Sequence, residues 1–127
     1  MAEKTLLETS RDFSVEALRI YRALCVIQKE RVLSERMLKS ATNVGAFLTE
    51  ARYPDSHEDY VFRIRQARKE AAKAQYWLEV LHGADVLPES EFTGIYQECC
   101  AMVDTLSTLL RTVKNDHVLR RAAKSQS

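Results

Sequence analysis

Apolar side chains return at steps of three and four residues along nearly the whole chain. A chain patterned in this way can bury them only as amphipathic α-helices packed face to face. The first stripe is Phe13, Ala17, Ile20, Leu24 and Ile27, which predicts a helix over about residues 10–28. The second runs through Leu33, Met37, Ala41, Val44, Leu48 and Ala51 and predicts a helix over about 33–52. It stops at Tyr53-Pro54, because the proline ring disfavours helix in the residue before it. Ser56 then offers a side-chain oxygen to the free N–H groups of a new first turn, where Glu58 and Asp59 complement the helix dipole. The third stripe, Tyr60, Ile64, Ala67, Ala71, Ala74, Leu78 and Leu81, predicts a helix over about 57–82, with Gly83 as its stop. Its three alanines imply a closely packed neighbour. Past Pro88, with Ser90 as a candidate cap, the fourth stripe is Phe92, Ile95, Cys99, Met102, Leu106, Leu109 and Val113, a helix over about 90–115. Residues 116–127, with Arg120, Arg121 and Lys124, read as a flexible basic tail.

Connections of a few residues cannot return to a helix's far end, so sequence neighbours must run antiparallel. The expected architecture is an all-α, antiparallel up-down-up-down four-helix bundle in which residues 1–127 form one domain. A β fold is excluded by the shortage of turn formers, 3 Gly and 2 Pro in 127 residues.

Net charge is +1, from 19 basic and 18 acidic side chains, so no global field drives the chain onto nucleic acid or an anionic membrane. The odd cysteines Cys25, Cys99 and Cys100 lie inside apolar helical patterns, and the first ten residues lack the apolar core of a signal peptide. Together they point to a reducing cytoplasm. No apolar run approaches the roughly 18 residues of a membrane span, so no membrane partner is expected.

No phosphate-binding glycine loop, nucleophile elbow or dinucleotide fingerprint is present, so no catalytic residue and no cofactor is assigned. A di-metal bundle needs Glu-x-x-His on two helices. Only Glu79 and His82 have that spacing, and adjacent Cys99 and Cys100 cannot face one metal from a regular helix, so no metal ligand is assigned either.

Three groups remain as candidates. Arg65, Lys69 and Lys73 lie at i, i+4 and i+8 on the third helix. With Arg63 they are candidate contacts to RNA, DNA or another partner, the alternative being an ordinary solvated face. Thr42, Asn43, Glu50 and Glu70 are a candidate polar cluster near the bundle interior that specifies how the helices pack, the alternative being ligand binding. Leu18, Val61, Tyr76, Trp77 and Leu110 fall outside the four stripes, and leftover apolar surface marks either a homo-oligomer interface or a wider seam buried within one chain. Gly45, inside the second helix, costs up to about 1 kcal/mol relative to alanine, which implies close approach of a neighbouring helix.

The run Ser34 to Ala51, SERMLKSATNVGAFLTEA, resembles the second-helix motif of the bacterial four-helix bundle proteins encoded in intervening sequences of 23S rRNA genes, also called S23 ribosomal proteins. Ser34, Leu38, Ser40, Thr42, Gly45, Ala46, Glu50 and Ala51 match directly, and Ala67, Glu70, Ala71, Tyr76, Trp77, Leu78 and Leu81 are similar in the third helix. Phe47, Ala41 and Lys73 depart from the usual Asn, Gly and Glu. The resemblance implies a homopentameric ring of bundles with no assigned enzymatic activity. A more distant likeness is to the accessory proteins of diversity-generating retroelements, which partner a reverse transcriptase and bind nucleic acid through a strong positive charge that this chain lacks.

Overall fold

The computed structural model describes the backbone of residues 4–126 and the side chains of residues 4–113. Helix α1 spans Leu6–Ala23 and runs into a single π-helical turn, Leu24–Gln28. Helices α2, α3 and α4 span Val32–Glu50, His57–Gly83 and Glu89–Gln126. Among the described residues there is no strand. Helix α1 packs on α2, α2 on α3, α3 on α4, and α4 returns to α1. With three short connections this closed circuit is the antiparallel four-helix bundle.

Local chemistry sets each helix end. Helix α1 starts earlier than the stripe suggests because Thr5 and Glu8 form a capping box: Thr5 Oγ1 accepts from Glu8 N at 3.1 Å while Glu8 Oε2 accepts from Thr5 N at 3.2 Å. Helix α2 has no side-chain cap from its N-cap residue Arg31, and Glu30 does that work instead. Its carboxylate accepts from the backbone N–H groups of Leu33 and Ser34, both at 2.8 Å, and from the Ser34 hydroxyl at 2.5 Å. Burial pushes the Glu30 carboxyl upward, but these three bonds outweigh it and hold the pKa below the ordinary value. Ser56 caps α3 through Asp59 N at 3.0 Å, as expected.

The stop after α3 differs from expectation. Gly83 is the last helical residue and keeps negative φ, while Asp85 takes the left-handed conformation with φ 60°. Val86 N–H donates to Leu81 O at 2.9 Å and Asp85 N–H to His82 O at 3.0 Å, the paired bonds of a Schellman motif. Asp tolerates this conformation better than most residues with a Cβ. At its far end, α4 continues to Gln126 in place of the expected flexible tail. Lys114 to Gln126 contains neither Gly nor Pro, so nothing in it stops a helix. The side chains of Arg120, Arg121 and Lys124 lie outside the described residues.

The four stripes meet in one core. Phe13, Ala17 and Ile20 of α1, Leu24 of the π turn, Met37, Ala41, Val44 and Leu48 of α2, Ile64, Ala67, Ala71, Ala74, Leu78 and Leu81 of α3, and Ile95, Cys99, Met102 and Leu106 of α4 are all buried in it. Leu33, Tyr60, Phe92 and Val113, at the ends of their stripes, are half-buried, and two other positions break the expected pattern. Ile27 is 74% exposed, because the π turn widens the helix and carries the chain away from the core one turn early. In α4 the last buried position among the described side chains is Leu110 rather than Leu109, which is half-buried. A strict seven-residue repeat drifts about 20° per repeat on a straight helix of 3.6 residues per turn, so a four-residue step from Leu106 restores the inward direction. Leu110, expected as part of an oligomer interface, is therefore a core residue at 2% exposure.

Candidate functional site

The α2–α3 pair forms the most extensive helix interface in the molecule. Alanines at 67, 71 and 74 on α3 and at 41 on α2 bring the two helices close, and the residues flanking that seam meet above it. Arg36, Lys39, Ser40 and Asn43 come from α2, and Glu70, Lys73 and Trp77 come from α3. Together they line a shallow groove of about 290 Å³. Both sets follow helical spacing, so each helix presents one edge to the groove.

Within it, Glu70 is the one carboxylate, with its side chain only 12% exposed, and Lys73 Nζ lies 3.3 Å from its Oε1. The Arg36 guanidinium lies 5.5 Å from the centroid of the Trp77 ring, a cation–π contact. Neither Arg36 nor Lys39 has an ion-pair partner among the described residues. Cations, an amide, a hydroxyl and one neutralised carboxylate make a lining suited to holding an anion.

The expected basic stripe is divided. Arg63 is committed elsewhere: it reaches Glu50 at 2.7 Å and Asp59 at 3.2 Å, tying α2 to the start of α3. Arg65, Arg68 and Lys69 have no ion-pair partner among the described residues, and Lys73 belongs to the groove. Residues four apart advance about 40° around a helix, so the stripe slants across α3 rather than presenting one straight line.

The expected polar cluster also separates. Asn43 and Glu70 share the groove, whereas Glu50 sits with Arg63 at the α2–α3 connection. Thr42 is exposed and donates to the Leu38 carbonyl at 2.9 Å within its own helix. Of the leftover apolar residues, Val61 and Trp77 are half-buried and pack against the core, while Leu18 and Tyr76 are exposed at 45% and 57%. Sequence reasoning missed Val15, Val26 and Val32, which are exposed along with Ile27. It also missed Arg36 and Lys39. Their spacing with Asn43 was visible, but only the pairing of α2 with α3 places them opposite Lys73 and Trp77.

Glu79 and His82 are engaged by different partners. The Tyr96 hydroxyl donates to Glu79, whose carboxylate raises the phenol pKa, and His82 Nε2 lies 2.5 Å from Glu89 with its ring stacked on Phe92 at 4.0 Å. Among the described residues no group of three or more His, Cys, Asp or Glu is placed to hold a metal ion. Cys99 is wholly buried and donates to the Ala71 carbonyl at 3.2 Å, and burial pushes its pKa up to about 12. It is a packing residue with an unreactive thiol. No helix among the described residues is long and apolar enough to cross a membrane.

The 23S rRNA-intervening sequence protein family matches residues 3–108, nearly the whole bundle. This chain belongs to that family. The intervening-sequence fold extends to a crystal structure from Bacteroides thetaiotaomicron, a protein with unknown function from the S23 ribosomal protein family. It superposes with a TM-score of 0.81 at 28% sequence identity over 84% of this chain and 98% of that one. No curated protein matches the sequence. Neither the family nor that structure names an enzymatic activity.

Proposed function

We propose that this intervening-sequence protein is a non-catalytic, self-associating bundle that serves as a scaffold or interaction module. The observation that carries the reading is the exposed apolar surface of α1 and the turn after it. Val15, Leu18, Val26 and Ile27 are each between 45% and 76% exposed, although the core of the monomer is already complete. Val15 and Leu18 also line a shallow concavity with Arg19 and Arg22. A polar-rimmed apolar patch of this kind is what a second copy of the chain would cover. The resemblance to the bacterial four-helix bundle proteins supports five copies in a ring.

Light scattering of the purified protein tests this. The reading expects an oligomer at micromolar concentration that Leu18→Glu dissociates without loss of helical circular dichroism. A wild-type monomer at that concentration would refute it.

A second reading, a nucleic-acid-associated protein, is favoured by the uncompensated Arg65, Arg68 and Lys69. Binding of RNA or DNA through these side chains should weaken steeply with salt, since each phosphate contact releases counterions. Salt-independent binding, or none, counts against it.

A further inference from the structure

We propose that the groove between α2 and α3 is a nucleotide site, with the phosphate held by Arg36 and Lys39 and the base lying against the Arg36–Trp77 stack. Charge makes the first part of the case. Three cations line the groove with the single carboxylate of Glu70, and Lys73 already neutralises that carboxylate at 3.3 Å. The charges of Arg36 and Lys39 are left for an incoming anion. A guanidinium with a nearby ammonium matches phosphate oxygens in both charge and hydrogen-bond geometry.

Size and lining make the second part. A groove of about 290 Å³ exceeds what a bare phosphate fills and approaches the lower end of small-ligand sites, roughly 300–1,000 Å³. The Arg36 guanidinium lies 5.5 Å from the Trp77 ring centroid, and both residues line the groove, so a flat cationic group and an aromatic ring are already paired there. Bases stack on such surfaces with little regard to their identity. Asn43, with both a donor and an acceptor, stands beside it to meet a base edge or ribose hydroxyl.

The site lies within one protomer and uses none of the exposed α1 residues, so it stands or falls separately from self-association. It is also distinct from the Arg65–Lys69 stripe. The nucleotide can be free or one unit of a single strand, and the experiment separates these sources.

Trp77 is the chain's one tryptophan, so its emission reports on the groove directly. The full-length protein is titrated with AMP and, separately, with a short oligothymidylate. Quenching by AMP assigns the groove to a free nucleotide, and quenching by the oligothymidylate alone assigns it to a strand. In either case Lys39→Ala should weaken binding about tenfold, the factor that corresponds to 1.4 kcal/mol. Glu70→Gln, which removes the opposing charge, should tighten it. Arg65→Ala, outside the groove, should leave it unchanged, with circular dichroism confirming that every variant is folded. The proposal is overturned if neither probe is bound at millimolar concentration, or if Arg65→Ala weakens binding as much as Lys39→Ala does.

Discussion

Replacing Gly45 with alanine sets two opposing terms against each other where α2 approaches Ser10 and Ser14 of α1. In a helix interior alanine is favoured over glycine by about 1 kcal/mol. The added Cβ, however, would stand 3.3 Å from Ser10 Oγ, with Ser10 Cβ and Ser14 Oγ at 3.8 Å. Only the first distance is too short for comfort. Ser10 is wholly buried and its hydroxyl donates to the Leu7 carbonyl at 2.7 Å, so it cannot swing aside without breaking that bond inside the protein. Overpacking of this sort costs about 1–3 kcal/mol, which exceeds the propensity gain. Gly45→Ala alone is therefore expected to destabilise the protein by up to about 2 kcal/mol once the propensity term is set against that cost. Ser10→Ala removes the obstructing oxygen and loses a single local hydrogen bond, at about 1 kcal/mol. On the Ser10→Ala background, Gly45→Ala should become stabilising by about 1 kcal/mol, a reversal of sign. The assay is urea unfolding of the wild type, both single variants and the double variant, followed by circular dichroism at one fixed protein concentration. Equal effects of Gly45→Ala on both backgrounds would refute the close-approach argument.

Further predictions concern the cap, the core and the thiols. Glu30→Gln should destabilise α2 by about 1 kcal/mol at neutral pH, since the amide loses the charge that faces three donors and the helix N-terminus. Because the folded-state pKa of Glu30 is depressed, its contribution is complete above the ordinary value of 4.5 and is lost as pH falls through the folded pKa. The stability gap between wild type and Glu30→Gln should therefore close on acidification, and a gap that persists well below pH 4.5 contradicts this. Phe13→Ala, at a fully buried site, should cost about 3–5 kcal/mol in denaturant unfolding. A thiol-specific reagent at mildly alkaline pH should label half-buried Cys25 and Cys100 in the native protein and spare Cys99 until denaturant is added.

How much of this was legible in the sequence depends on the range over which each property is decided. Helix α3 was readable almost to the residue, because Ser56, the acidic first turn and the alanine-rich stripe are all local signals. The end of α1 was not. Leu24 and Ile27 look alike in a periodic pattern, and one is buried while the other is exposed only because a π turn intervenes. Glu30 belongs to neither of the first two stripes, yet it caps α2, a role set by the left-handed Lys29 just before it, with φ 56°.

The sequence by itself determined that the chain is helical, that it has four amphipathic segments and that short connections force them antiparallel. Each of these follows from spacing along one chain. The tertiary structure alone decided which flanking residues meet. It drew Arg36 and Lys39 across to Lys73 and Trp77, took Arg63 out of the basic stripe through Glu50 and Asp59, and turned Leu110 inward. The reason is geometric. A helix presents its seam through its own periodicity, but what its flanks touch depends on which neighbour packs there and how closely, and that is a property of pairs of helices.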